Sequence, residues 1–243
     1  MTKEVLSKKE IFITTLGTLI EWAEYILYGY MATLFSQYYF PNDNPTVGLI
    51  KTYGVFAAGY MMRPLGVILF GYLGYFVGRR HALMLAMLLM GIATMGIGLL
   101  PTFEQIGTLA PFLLLMCRLI QGLALSGEYN GAAIFLIEKD HRTPCFTGSL
   151  VASSAAFGMV VGGLATYIIS LPMMPAWAYR IPFLLGGLSC LFAFWVRQNL
   201  HDSKEFVQAK KFGPKLTLIN MITQHPFAFL RVWMIAGFTA VFV

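Results

Sequence analysis

Six apolar blocks, each near the length of a bilayer span, follow one another along the chain with only short polar breaks. They cover about residues 11–35, 47–76, 83–100, 110–137, 146–171 and 181–196. A membrane helix needs about 20 mainly apolar residues, so the pattern predicts an all-α membrane protein with six spans. Soluble domains average roughly 45–50% apolar and about 25% charged residues. This 243-residue chain is 58% hydrophobic and 12% charged, with mean hydropathy +0.69. That balance argues against a water-soluble globule, a disordered chain and a nucleic-acid binder. A polar stretch over 197–224 precedes a last apolar run at 226–243. The expected organisation is a cytoplasmic tail at 1–10, a six-helix transmembrane bundle at 11–198, a cytoplasmic central loop at 199–225, and the start of a truncated seventh transmembrane helix at 226–243.

The order of the basic residues sets the orientation. Lys3, Lys8 and Lys9 lie in the tail, Arg79 and Arg80 in the second connection, and Lys139 and Arg142 in the fourth. Arg197, Lys204, Lys210, Lys211 and Lys215 lie in the long polar stretch, while the connections at 36–46 and 101–109 have no Lys or Arg. Basic residues concentrate on the cytoplasmic side of membrane proteins. The N-terminus and the long loop are therefore expected in the cytoplasm, in a multi-pass protein of the cell (inner) membrane. The net charge of +6 is a topology signal and calls for no acidic partner. The basic N-terminus is not that of a signal peptide: the apolar run after it is too long, contains Glu21 and Glu24, and lacks a small-residue cleavage site.

Chemistry-bearing motifs are few. Cys117, Cys145 and Cys190 are scattered in apolar segments without CxxC or Cys/His spacing, which suggests neither a disulfide framework nor a metal site. His81, His141 and His201 fall at block edges, and His225 precedes Pro226. With no GxxxxGK, HExxH or GxSxG, no cofactor and no enzymatic activity are expected. Glycines at 91, 96 and 98, and at 158, 162 and 163, are spaced to let membrane helices approach closely.

Five charged residues, Glu21, Glu24, Arg63, Arg118 and Glu128, fall deep inside the predicted spans. Each costs about 2.5 kcal/mol or more at the bilayer centre on insertion scales, so each should face the bundle interior or a watery cavity. In the first span, Glu21, Glu24, Tyr25 and Tyr28 lie at i, i+3, i+4 and i+7 and share one face. Desolvation and like charge oppose two ionised carboxylates side by side, so one of the pair can carry a proton. Trp22, Tyr25 and Tyr28 offer aromatic faces that suit a quaternary ammonium group.

In the fourth span, Gln121 and Glu128 share a face, with Arg118 one turn before Gln121. Arg118 and Glu128 stand about 15 Å apart along the axis, too far to pair directly. Arg118 is expected to meet Glu24 or Glu21 across the bundle, or a substrate carboxylate. Arg63 precedes Pro64, which should kink the second span. The second connection, from Gly71 through Gly74, Tyr75 and Gly78 to Arg79 and Arg80, is read as a glycine-rich tight turn with close helix approach.

Four stretches carry a family resemblance: Glu21-Trp22-x-Glu24-Tyr25 with Tyr28-Gly29; Arg63-Pro64-Leu65-Gly66; Arg118-x-x-Gln121-Gly122 followed by Gly127-Glu128-Tyr129; and Arg180-Ile181-Pro182-Phe183. Together they resemble the N-terminal half of the metabolite:proton symporters of the major facilitator superfamily, with the closest likeness to proline/glycine-betaine transporters. The Gly71–Arg80 loop looks like the superfamily's signature between helices two and three. The resemblance implies a bundle of two inverted three-helix repeats, a substrate site near the midplane, membrane carboxylates that carry the coupling proton, and a loop that gates at the cytoplasmic face. It makes Glu21, Glu24, Arg63, Arg118, Gln121 and Glu128 candidates for proton coupling and the substrate pathway. Trp22, Tyr25, Tyr28 and Tyr129 become candidate cavity aromatics. The implied partners are the lipid bilayer, a small organic solute such as proline or glycine betaine, protons, and a second half-bundle or a second copy of the chain. Three departures stand out. Tyr75 occupies the loop's acidic position and Phe76 its basic one; Thr18 and Glu24 stand where the family has Asn and Asp; and the second bundle is missing beyond the start of helix seven. The alternative is therefore a truncated, non-transporting remnant, or a half-transporter that acts only as a dimer or assembly partner.

Overall fold

The computed structural model describes residues 7–139 and 143–198, together with Phe227 and Arg231. The chain divides into two compact units, Met1–Ser203 and Lys204–Val243, and the helices below belong to the first. Apart from Phe227 and Arg231, both helical, the expected central loop and seventh helix lie outside the described residues, as do His141, Arg142, His201 and His225.

The described helices are α1 (Lys8–Tyr30), α2 (Ala32–Tyr39), α3 (Pro45–Met61), α4 (Arg63–Phe76), α5 (Arg79–Leu99), the single turn α6 (Phe103–Ile106), α7 (Leu109–Lys139), α8 (Pro144–Ile169) and α9 (Arg180–Arg197), the last entered through a 3-10 turn at Ala176–Tyr179. Local sequence explains several starts. Ser7 and Glu10 form a reciprocal capping box on α1. The Asn44 side chain accepts from the Thr46 amide ahead of α3, where Pro45 opens the first turn. The first two predicted spans each consist of two helices, broken at Met31 and at Met62. The second break falls one residue before Arg63-Pro64, where the proline ring cannot sit in a continuing helix without losing a backbone bond.

Among the described residues, five stretches are long and apolar enough to cross a membrane: Pro45–Phe76, Arg79–Leu99, Leu109–Lys139, Pro144–Ile169 and Ala176–Val196. The 23 residues of α1 reach about 34 Å at 1.5 Å per residue, but Lys8, Lys9, Glu10, Glu21 and Glu24 dilute its apolarity. It is held as the sixth helix of the bundle by packing, chiefly against α8 and also against α9 and α7.

The packing pattern is symmetric. Helix α1 lies on α8 as α7 lies on α3 and α4; α5 lies on α7 as α9 lies on α1; and α5 packs on α9. Exchanging the first three spans with the last three maps these contacts onto one another, as two repeats of one three-helix unit would, although α4 also packs on α5 where α8 and α9 have no comparable contact.

Glycines form the seams. A Cβ at Gly158 would stand 2.4 Å from the Leu19 carbonyl oxygen, and one at Gly162 2.8 Å from that of Ala23, so α8 meets α1 backbone to backbone. On the other side, a Cβ at Gly122 would stand 1.8 Å from the Gly59 carbonyl oxygen, and one at Gly66 2.4 Å from that of Leu123. In α5, Gly91 faces Cys190 and Gly98 faces Leu184 of α9. Van der Waals contact of this closeness binds helices that have no hydrophobic drive to associate inside lipid.

The outer surface is apolar: Leu65, Ile68 and Leu69 of α4, Phe157 and Leu164 of α8, and Phe192 and Trp195 of α9 are all exposed. Such a surface suits lipid or another protein face, not water. One end of the bundle is closed by aromatic packing, with Phe35 against Tyr28, Tyr39, Tyr179 and Phe183. The described salt bridges lie at the other end, where Lys139 pairs with Glu10 and Arg79 with Glu138.

Candidate functional site

Helix α1 presents its polar face to two neighbourhoods. Glu24 turns toward α9: its carboxylate lies over Gly186, where a Cβ would come within 2.6 Å of Oε1. One turn on, the Cys190 thiol donates to Glu24 Oε1 at 3.5 Å. The Thr94 side chain of α5 lies beside this carboxylate, and the Thr94 hydroxyl accepts from Gln121 Nε2 at 2.8 Å. Gln121 Oε1 in turn accepts from Arg118 Nη1 at 2.8 Å. Hydrogen bonds therefore run from Arg118 on α7 through Gln121 to Thr94 on α5, which stands beside Glu24 of α1. Glu21 and Glu128 are fully buried, and both lie near enough to act electrostatically on Cys190, as Glu24 does.

The other neighbourhood is aromatic and positive. Arg118 is fully buried, with its Cζ 4.7 Å from the Tyr25 ring, 4.1 Å from Tyr28 and 5.0 Å from Phe56. Its Nη2 donates to the Tyr25 carbonyl at 3.2 Å. The Tyr28 hydroxyl donates to the Thr52 carbonyl at 3.1 Å, which fixes that ring. Arg63, half-buried, stands 5.3 Å from the Trp22 ring, 4.8 Å from Tyr25 and 3.9 Å from Tyr60. Tyr25 thus lies against both guanidiniums. Tyr129 meets Trp22 edge-on at 5.7 Å.

The structure brings Glu21, Glu24, Arg118, Gln121 and Glu128 into the interior, as their cost in lipid demands. It corrects three readings. Arg118 does not take Glu24 as its partner, because Gln121 and the Tyr25 carbonyl lie closer along its own side of α1. Tyr25 and Tyr28 do not line an open cavity: they are buried, and their faces are taken by guanidinium groups. The second connection is not a ten-residue turn either. Gly71, Gly74 and Tyr75 belong to α4, Arg79 and Arg80 open α5, and only Val77 and Gly78 lie between. Gly78 alone there needs glycine, at φ 135°, and nothing lies within 4 Å of a Cβ at Gly71. Arg79 finds its carboxylate in Glu138 of α7, while Arg80 donates to the Gln198 carbonyl and Tyr75 stacks edge-on against Phe76.

Four contributors escaped the sequence reading: Thr94, Gly186, Cys190 and Phe56. Thr94 carried a usable signal, as the only hydroxyl side chain in the apolar block 83–100. Cys190 and Gly186 carried none, since small residues in a membrane helix read as packing.

The sequence profile of the sugar (and other) transporter family matches residues 11–213. The chain is 37% identical to the shikimate transporter of Escherichia coli (strain K12), over 89% of this chain and 52% of that protein. It is 34% identical to the proline/betaine transporter of the same strain, over 90% and 47%. To its alpha-ketoglutarate permease it is 33% identical, over 92% and 52%. The chain spans about half the length of the curated relatives it matches. Among solved structures, the xylose transporter XylE from E. coli in a partially occluded inward-open conformation superposes with a TM-score of 0.73 at 15% identity, over 84% of this chain and 50% of that one. That likeness shows the fold, the six-helix bundle of the major facilitator superfamily. These relatives are transporters and not enzymes, and the profile match covers most of the residues described above: the chain belongs to the sugar (and other) transporter family of the major facilitator superfamily.

Proposed function

We propose that this chain serves in proton-coupled symport of a small organic solute by alternating access, with Glu24 as the proton carrier. The observation that carries the reading is a buried carboxylate, Glu24, beside Thr94, from which hydrogen bonds run through Gln121 to the buried guanidinium of Arg118. Intramembrane ionisable groups of this kind mark ion and substrate pathways. The solutes named for the three sequence relatives all carry a carboxylate. Proline and glycine betaine, the osmolytes suggested by the sequence, fit the same description. The protein would lie in the cell inner membrane with a cytoplasmic N-terminus and central loop, and the Val77–Gly78 turn with Arg79 and Arg80 would gate at that face. A second six-helix bundle, or a second copy of this one, would supply the other wall of the cavity.

Proteoliposomes carrying the full chain test this. Labelled solute should accumulate under an inward proton gradient and cease to do so when a protonophore collapses it. Glu24→Gln should abolish gradient-driven accumulation. Wild-type accumulation in that variant would remove Glu24 from the coupling, and uptake indifferent to the gradient would remove the coupling itself.

A further inference from the structure

The two guanidiniums are unusual in what they lack. Among the described residues neither Arg63 nor Arg118 makes an ion pair; the described salt bridges are Arg79–Glu138 and Lys139–Glu10. Arg63 Nε and Nη2 and Arg118 Nε are buried and meet no acidic partner among the described residues; the polar group beside Arg63 is the Tyr25 hydroxyl. The two guanidiniums also act on each other electrostatically. Of the buried acidic groups, Glu24 meets the Cys190 thiol on α9, and Glu21 and Glu128 also act electrostatically on that thiol. What surrounds the guanidiniums is aromatic: Tyr25 between them, Tyr28 and Phe56 around Arg118, Trp22 and Tyr60 around Arg63.

Cation–π contact offsets part of the desolvation of a guanidinium but supplies no counter-charge. The same contact occupies a face of each ring. A quaternary ammonium group arriving here would find Trp22, Tyr25, Tyr28, Phe56 and Tyr60 each already against a guanidinium, and would meet positive charge. An anion would supply the counter-charge that both guanidiniums lack among the described residues. The two arginines differ in reach: Arg118 is fully buried, whereas Arg63 is half-buried beside Tyr60, which is 53% exposed.

Building on the symport reading, we propose that the solute is an organic anion with net negative charge, its carboxylate held by Arg63, and not a quaternary-ammonium zwitterion. Arg63 makes the contact, beside Trp22 and Tyr60. Arg118, behind Tyr25, is a positioning residue that adds positive potential without touching the solute. Arginine suits the contact because its planar fork can grip a carboxylate through two parallel hydrogen bonds.

Equilibrium dialysis of the purified 243-residue chain in detergent, against labelled succinate, benzoate, glycine betaine and choline, tests this. Succinate and benzoate should bind saturably and compete with each other, with neither displaced by glycine betaine or choline. Arg63→Gln should weaken anion binding by at least about tenfold, the loss of one charge-assisted pair, and Arg63→Lys by less. Because Arg63 is half-buried at the start of a helix, both variants should keep the helicity of the parent by circular dichroism. Binding of glycine betaine as tight as that of the anions, unchanged anion binding in Arg63→Gln, or no saturable anion binding would each overturn the proposal. Its failure is separable from that of symport. Gradient-driven uptake of betaine but not of anions would sink this proposal alone. Anion binding without any gradient-driven uptake would sink symport and leave the anion site standing.

Discussion

The Cys190 thiol reaches the Glu24 carboxylate across 166 positions of sequence, donating to Oε1 at 3.5 Å. The contact exists because Gly186, one turn earlier on α9, leaves the carboxylate room to lie against the helix. Cys190→Ala should lower stability in detergent by about 1–3 kcal/mol, the range for losing a partner of a buried polar group. Cys190→Ser should recover most of it by restoring a donor. A thermal-unfolding cycle with Glu24→Gln checks the link; strictly additive losses would show that thiol and carboxylate do not communicate.

At the α3–α7 crossing, Gly122→Ala places a Cβ where the Gly59 carbonyl oxygen stands. Backbone cannot rotate out of the way as a side chain can, so a loss of about 3 kcal/mol or more is expected from overpacking. Gly54→Ala and Gly71→Ala meet nothing within 4 Å. Both should be neutral or add up to about 0.5–1 kcal/mol, as glycine in a helix interior is entropically unfavourable. Melting temperatures of the three variants, measured side by side, decide whether the glycines divide in this way.

Gly78→Ala should destabilise the α4–α5 connection by about 1–3 kcal/mol, since φ 135° is a region that residues with a Cβ avoid. Amide hydrogen exchange should report the effect at the start of α5 ahead of the rest of the bundle. Unchanged protection there would count against strain at this position.

The pair between Arg79 and Glu138 is partly exposed, at 26% and 30% for the two side chains. Glu138→Gln should therefore cost only about 0.2–1 kcal/mol, and less at high salt. Reversing the pair with Arg79→Glu and Glu138→Arg together should restore stability that either change alone removes. Failure of the double variant to recover would mean that Arg79 is needed for something besides this pair.

Much of the fold was legible because lipid imposes a simple rule: uncharged runs of span length become helices. The blocks at 110–137 and 146–171 correspond to α7 and α8 within a few residues. The first block hid its break at Met31, as no proline marks it, whereas Pro64 announced the break at Met62. For the site, burial of Glu21, Glu24, Arg118, Gln121 and Glu128 followed from the expense of polar groups in hydrocarbon. Their partners did not follow, because helix periodicity fixes which residues share a face and not which neighbour that face meets. Glu24 and Tyr25 are adjacent in sequence and share a buried face, yet one turns to α9 and the other to Arg118 on α7.

The glycine seam between the second and fourth spans also bears on how the arginines can move. Gly59 and Gly66 flank Arg63, and their opposite numbers on α7 are Arg118, Gly122 and Leu123. With almost no side chains interposed, these helices have no soft layer in which to slide. Arg63 and Arg118 are in effect bolted to one beam, and the separation of their main-chain anchors is set by backbone contact. Any rocking of the bundle would carry both arginines together, so a bound anion could change its surroundings without letting go of its charge partner.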